Sequence, residues 1–182
     1  MKKKFRSILE FSTFPVKWKN ICVYPEYHIS QDRLFSFMQG LKPDTINIVG
    51  LGRNYEGYTQ VAICSNKEVY GYREKISIFT EEDSKVSPVL RAIDINDIRL
   101  GVVICREVLH TAIAEVYRMM NVNVIAVTIS GGEFWGLQRE SWIDQMFLFS
   151  DIVGAPLICS SGASKASGGL NLIIVPKQFL EE

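Results

Sequence analysis

Long apolar runs are missing from this sequence, and that absence is its first constraint. No stretch approaches the roughly 18 to 20 residues that cross a bilayer as a helix, and residues 1–14 lack the apolar core and small-residue cleavage site of a secretory signal. An excess of either charge is missing too. Twenty Lys and Arg balance twenty Asp and Glu, so no global field favours nucleic acid or an acidic membrane surface. The basic start, Lys2, Lys3, Lys4 and Arg6, reads as a solvated terminus. Paired cysteines are also absent. Cys22, Cys64, Cys105 and Cys159 stand more than forty positions apart, which excludes a CxxC zinc site and resembles reduced, mostly buried thiols more than a disulfide framework. The expectation is a cytoplasmic chain with no membrane or nucleic-acid partner and no metal.

What is present is enough apolar material for one core. With 182 residues, 47% of them hydrophobic and 22% charged, the chain is expected to form a single domain over 1–182, with 1–19 poorly specified. Short runs rich in Val and Ile alternate with helix-period segments, the pattern of α/β layering. Strands are predicted over 20–24, 45–51, 59–65, 69–79, 91–95, 99–105, 123–128, 156–160 and 171–175. No helix separates the strands between 45 and 79, so that part must be antiparallel hairpins or a meander. Ser30 is predicted to cap a helix with the stripe Leu34, Phe35, Met38 and Leu41, ended by Gly40 and Pro43. A second helix should follow Cys105, with Leu109, Ala112, Ile113, Val116, Tyr117 and Met120 inward and Glu107 in its first turn. A third should run over 137–153 with Trp142, Met146, Phe149 and Val153 inward. The small-residue stretch SSGASKASGG at 160–169 reads as a loop.

Two tempting motifs fail on physical grounds. Gly50-Leu51-Gly52 follows an apolar strand, but Tyr55 stands where a third glycine belongs and a strand follows instead of a helix. A tight turn is the better reading, because a pyrophosphate site needs the helix N-terminus. His110 lies five positions after Cys105, roughly 140° round a helix, and cannot easily serve that thiol. His28 remains a possible partner for a Cys–His pair.

Three polar residues interrupt apolar strand contexts: Glu26 in ICVYPEY, Lys75 in VYGYREKISIF and Cys105 in LGVVICREVL. A cysteine that ends a buried strand and opens a helix sits at a sharp turn, exposed at the sheet edge, where the helix dipole favours a thiolate. Cys105 is therefore expected to be the one reactive thiol of the four. A thiol attacking an amide or nitrile carbon also needs a base and a cation where negative charge develops, and Glu26 and Lys75 supply one of each.

In this order, and in the settings VYPE, YREK and VVICRE, these residues resemble the nitrilase superfamily of carbon–nitrogen hydrolases. The resemblance runs from about residue 20 to residue 176. It includes VAICSNKEVYGYREKISIF, which resembles a hairpin leading into the lysine strand, then EVLHTAIAEVYRMMNVNVIAVTIS and the late strands GAPLICSSGAS and GGLNLIIVP. The resemblance implies a four-layer α-β-β-α sandwich with mixed sheets. It implies hydrolysis, or acyl transfer, at a non-peptide C–N bond of a small amide, carbamoyl compound or nitrile through a thioester, without cofactor. Glu26 would be the general base, Lys75 the stabiliser of the tetrahedral intermediate, and the N–H of Arg106 part of the oxyanion site. A further acidic residue would be Glu81 or Glu82, and Trp135 either stacks on a ligand or packs. Sandwich-on-sandwich packing implies a homodimer or an equivalent partner domain. The chain departs from the family at His110, Thr111 and Ala112, where an aromatic, a proline and a glutamate are usual, and at Phe149 and Ile152, where an arginine and a glutamate are. The spacings between the three residues are short, and an opening strand and a C-terminal extension are expected to be absent. These departures keep a second expectation open: a catalytically weak nitrilase-like binding or assembly module of a larger multidomain system.

Overall fold

The structure is a computed structural model that describes residues 20–26, 28–77, 85–130, 136–162 and 170–179. Among the described residues nine strands form where the β-branched runs stand: β1 (Ile21–Val23), β2 (Ile46–Arg53), β3 (Thr59–Cys64), β4 (Val69–Glu74), β5 (Ala92–Ile95), β6 (Ile98–Ile104), β7 (Val124–Ile129), β8 (Leu157–Ser161) and β9 (Asn171–Ile174). They make two mixed sheets, ordered β1-β2-β3-β4 and β5-β6-β7-β8-β9. In the first, β1 runs parallel to β2, and β2, β3 and β4 form the expected antiparallel meander. In the second, β6, β7 and β8 are parallel while β5 and β9 close the edges antiparallel. The parallel strands need crossovers, and α2 (Thr111–Met119) and α3 (Gly136–Val153) supply them.

Period-two alternation sends each strand's side chains to two different cores. Ile48, Val61 and Ile63 of the first sheet join Leu100, Val102, Ile104, Val124 and Ala126 of the second in one inner cluster. The intervening Val49, Leu51, Ala62 and Cys64 turn the other way and pack against Leu34 and Met38 of α1 (Leu34–Gln39). Trp142, Met146, Phe149 and Val153 of α3 cover the outer side of the second sheet. The result is the α-β-β-α order of layers. No described helix is long and apolar enough to cross a membrane.

The helices differ from their sequence readings in phase. A 3-10 turn (Gln31–Arg33) precedes α1, and Ser30 stands before it without a side-chain capping bond. Phe35 points to solvent, leaving Leu34 and Met38 as the buried pair. The segment after Cys105 is first a 3-10 turn (Cys105–Leu109), and α2 begins only at Thr111. Three residues per turn instead of 3.6 shifts the phase of everything that follows. Ile113, Ala114 and Tyr117 are therefore buried, while Leu109 and Val116 are exposed.

Candidate active site

The site is assembled from chain turns at strand ends. Past β1 the chain bends through Pro25, and the N–H of Glu26 reaches across to the Ile129 carbonyl of the second sheet at 3.4 Å. Gly50 makes this bend possible. It faces the inner side of β2, where an added Cβ would run into the carbonyl oxygens of Pro25 and Glu26. Its own carbonyl accepts the N–H groups of His28 and Ile29, closing the turn. The Gly50-Leu51-Gly52 motif is thus a bulged strand, with the register shifting between Gly50 and Gly52 and Gly52 at φ +72.

Lys75 follows β4 and is held by its backbone on both sides: its N–H donates to the Thr59 carbonyl and its carbonyl accepts the Ser87 N–H. Its side chain is fully buried, and Nζ lies 3.0 Å from Glu26 Oε1. Glu26 is buried as well, and its Oε2 accepts the N–H of Ser130 at 3.1 Å. A carboxylate out of water is costly unless its lone pairs find donors, and here an ammonium and an amide provide them.

Cys105 completes the cluster. β6 ends at Ile104, and Cys105 takes φ +54, the left-handed region that a residue with a Cβ enters at a cost of about 1 to 3 kcal/mol. Its thiol lies within electrostatic reach of the Glu26 carboxylate, the Lys75 ammonium and the Ser130 side chain. Burial is the main cause that pushes this thiol up to about 12, and the Glu26 charge adds to it against the opposing pull of Lys75. This corrects two expectations. Cys105 is only 8% exposed, and no α-helix N-terminus stands at it, because α2 starts at Thr111. The resting group is a buried, neutral thiol near Glu26, not a dipole-stabilised thiolate.

The structure thus brings Glu26, Lys75 and Cys105 together. Arg106 follows Cys105 directly in the 3-10 turn. Glu81, Glu82 and Trp135 lie outside the described residues, so their expected places in the site stay as sequence expectations. His28 goes elsewhere: its ring packs against Tyr24 and Phe37 at centroid distances of 4.8 and 5.4 Å, in an exposed position at the rim of the outer core. His110 pairs with Ser77 at 3.0 Å in an exposed position. Among the other thiols, Cys64 and Cys159 are buried but Cys22 is exposed, against the expectation that it lies hidden in its strand. Among the described residues no group of His, Cys, Asp and Glu could hold a metal ion.

Sequence reasoning missed three members of this neighbourhood. Ser130 carries no motif and arrives through strand order alone. Arg73 and Glu107 form a second buried ion pair of 2.9 Å beside the first. Period two did contain a signal for Arg73, because it stands two positions before Lys75 and shares its face.

No protein-family model and no curated protein matches the sequence. Solved structures do match in shape. The glutamine-dependent NAD+ synthetase of Acinetobacter baumannii superposes with a TM-score of 0.68 at 13% identity, over 86% of this chain and 35% of that one. An amidase of Nesterenkonia sp. AN1, with an acetamide moiety added covalently at its active-site cysteine, gives 0.70 at 12% identity over 86% of this chain and 70% of that one. Saccharomyces cerevisiae Nit3, of the nitrilase superfamily, gives 0.67 at 13% over 87% and 69%. A carbon-nitrogen hydrolase of Helicobacter pylori gives 0.60 over 72% of this chain and 55% of that one. The chain therefore spans about a third to 70% of the length of these neighbours. With its two mixed sheets between helical layers and its turns brought together at one end of the strands, this chain has the fold of the nitrilase, or carbon–nitrogen hydrolase, superfamily.

Proposed function

We propose that the protein is a cysteine-dependent hydrolase or acyl transferase acting at a non-peptide C–N bond of a small amide, carbamoyl compound or nitrile. The observation that carries this reading is the buried Glu26–Lys75 ion pair of 3.0 Å, within electrostatic reach of the Cys105 thiol. A neutral thiol is a weak nucleophile and needs a base at the moment of attack. On an amide, the Cys105 sulfur bonds to the carbonyl carbon while its proton passes to Glu26. The oxygen gains the negative charge, and Lys75 stands beside it. Glu26 returns the proton to the departing nitrogen, the C–N bond breaks and a thioester remains. Water, or another acceptor, then attacks the thioester with Glu26 again taking the proton, and the acyl product leaves Cys105 as a thiol. No cofactor enters this sequence.

The test is ammonia or amine release from a panel of small amides, carbamoyl compounds and nitriles, with intact-protein mass spectrometry for an acyl group on Cys105. Lys75→Met is expected to lower turnover roughly a hundredfold, on the order of 3 kcal/mol, and Glu26→Gln at least as much. A folded variant of either kind with near-normal kcat sinks the reading. Phe149, buried where the resembled family has an arginine, favours one alternative. An acyl adduct on Cys105 that forms but does not turn over would identify a binding or assembly module.

A further inference from the structure

Behind the candidate site lies the second buried ion pair, which the proposed chemistry leaves unused. Arg73 Nη2 donates to Glu107 Oε2 at 2.9 Å, and both side chains are cut off from solvent. The same carboxylate accepts two backbone N–H groups: that of Ile104 on Oε2 at 2.9 Å and that of Ile76 on Oε1 at 2.5 Å. Ile104 is the residue before Cys105, and Ile76 is the residue after Lys75. One side chain therefore straps the nucleophile turn of the second sheet to the lysine segment of the first.

Stability alone is a poor reason for such a group. Burying two charges costs several kcal/mol per ion, and apolar replacements of similar shape are often neutral or better. This pair is also imperfect as a stabilising device. Among the described residues, Nε and Nη1 of Arg73 lack hydrogen-bonding geometry to any acceptor, although the Tyr117 hydroxyl, which donates to the Val102 carbonyl at 2.6 Å, stands beside the guanidinium. What the pair does achieve is geometric. A carboxylate has two oxygens that both accept, so it can serve both amides at once. A glutamine has one, and must release either Ile104 or Ile76. Burial pushes the Glu107 carboxyl up, opposed by Arg73 and by the two amides. A protonated Glu107 would offer a hydrogen to a ring of donors, so the charged form is the one this geometry fits, and Arg73 is what keeps it charged.

We infer that Glu107, held ionised by Arg73, is a positioning residue that fixes the left-handed Cys105 turn relative to Lys75. This rests on the reading of Cys105 and Lys75 as the reacting pair. The strap acts where the strain is, at the residue preceding φ +54. Misplacing reacting groups by about an ångström costs rates of the order of a hundredfold, so a loosened strap should act on turnover more than on substrate binding.

The experiment is Glu107→Gln in the full chain, read by steady-state kinetics and by hydrogen exchange with mass spectrometry. The expected result is a fall in kcat of at least about tenfold with KM within about threefold. Faster exchange should be confined to the peptides spanning 76–77 or 104–109, with the other strands as protected as in the parent. If Glu107→Gln does not fold, Arg73→Met/Glu107→Gln leaves no unpaired buried charge and carries the same two readouts. A folded variant with parental kcat, or with parental protection in both segments, overturns the inference. Should the parent protein turn over none of the substrates, the proposed function fails while the exchange pattern still decides whether the strap exists.

Discussion

Gly50 shows how a residue with no chemistry of its own sets the chemistry of another. The Glu26 turn lies so close over β2 that no side chain fits at position 50, and the obstacles are backbone carbonyls that cannot swing aside. Gly50→Ala should therefore cost about 1 to 3 kcal/mol of stability and, by lifting Glu26 away from Lys75 and Cys105, remove most turnover. Gly52→Ala is the control. Its φ of +72 makes alanine strained by about 1 to 2 kcal/mol, but the site's three side chains do not rest on it. Thermal melts alongside kinetics separate the two. If Gly50→Ala keeps parental turnover in a folded protein, then Glu26 is not held by this contact. The exposed thiol of Cys22 matters for any labelling of Cys105, because an accessible ordinary thiol reacts with alkylating agents whatever the site does.

The elements of the outer layer carry apolar residues on more than one side. α3 buries Trp142, Met146, Phe149 and Val153 at the spacing of one helical stripe, yet Phe147 and Leu148 beside them are 47% and 44% exposed. α2, packed against α3, exposes Val116 and leaves Met119 76% exposed. Sandwich-on-sandwich packing of a second copy would cover such side chains, and we propose a homodimer through this layer. Light scattering at micromolar concentration should give about twice 20.6 kDa, and Met119→Glu/Phe147→Glu should return the monomer. A parent protein that stays at 20.6 kDa would refute it. The elements were the most legible level in the sequence. Eight of the described strands lie within two residues of where Val and Ile runs put them, and β4 ends at Glu74, five positions short of the predicted 79; the central strands, buried on both faces, read as nearly continuous apolar segments. Helix phase was less legible. A five-residue 3-10 turn after Cys105 leaves no compositional mark, yet it rotates α2 and removes the dipole from the thiol. For the same reason the sequence presents Glu107 as a first-turn acid of a helix, whereas it lies in the 3-10 turn. Its partner Arg73 is 34 positions away, and only the sheet-on-sheet packing brings the two together.

Taken as a whole, the molecule keeps most of its thiols where ionisation is unfavourable, and that determines how it responds to alkali. Burial pushes Cys64 up to about 11 and Cys105 and Cys159 up to about 12, from an ordinary value of 9.0. In the unfolded chain all three would lose their protons as pH passes about 9, while the folded chain holds them until about 11 or 12. Across that window the folded state binds more protons than the unfolded state, so stability falls as pH rises. Each thiol contributes a slope of about 1.4 kcal/mol per pH unit once past 9, and the three together remove about 4 kcal/mol by pH 10. Against the 5 to 15 kcal/mol typical of a domain, that is a large share. Below about pH 8 the same groups are protonated in both states and contribute no slope. Urea unfolding at pH 8, 9 and 10 should therefore show a steep decline that begins near 9. Cys64→Ala/Cys159→Ala should flatten it, leaving the slope of Cys105 and, as pH nears 10, that of the Tyr24 and Tyr117 hydroxyls that burial also raises, whatever the double variant costs in cavity formation at pH 7. Equal stability at pH 8 and 10 in the parent protein would mean that these thiols reach solvent in the folded state. A neutral Cys105 thiol near Glu26 would then no longer be the starting point of the proposed reaction.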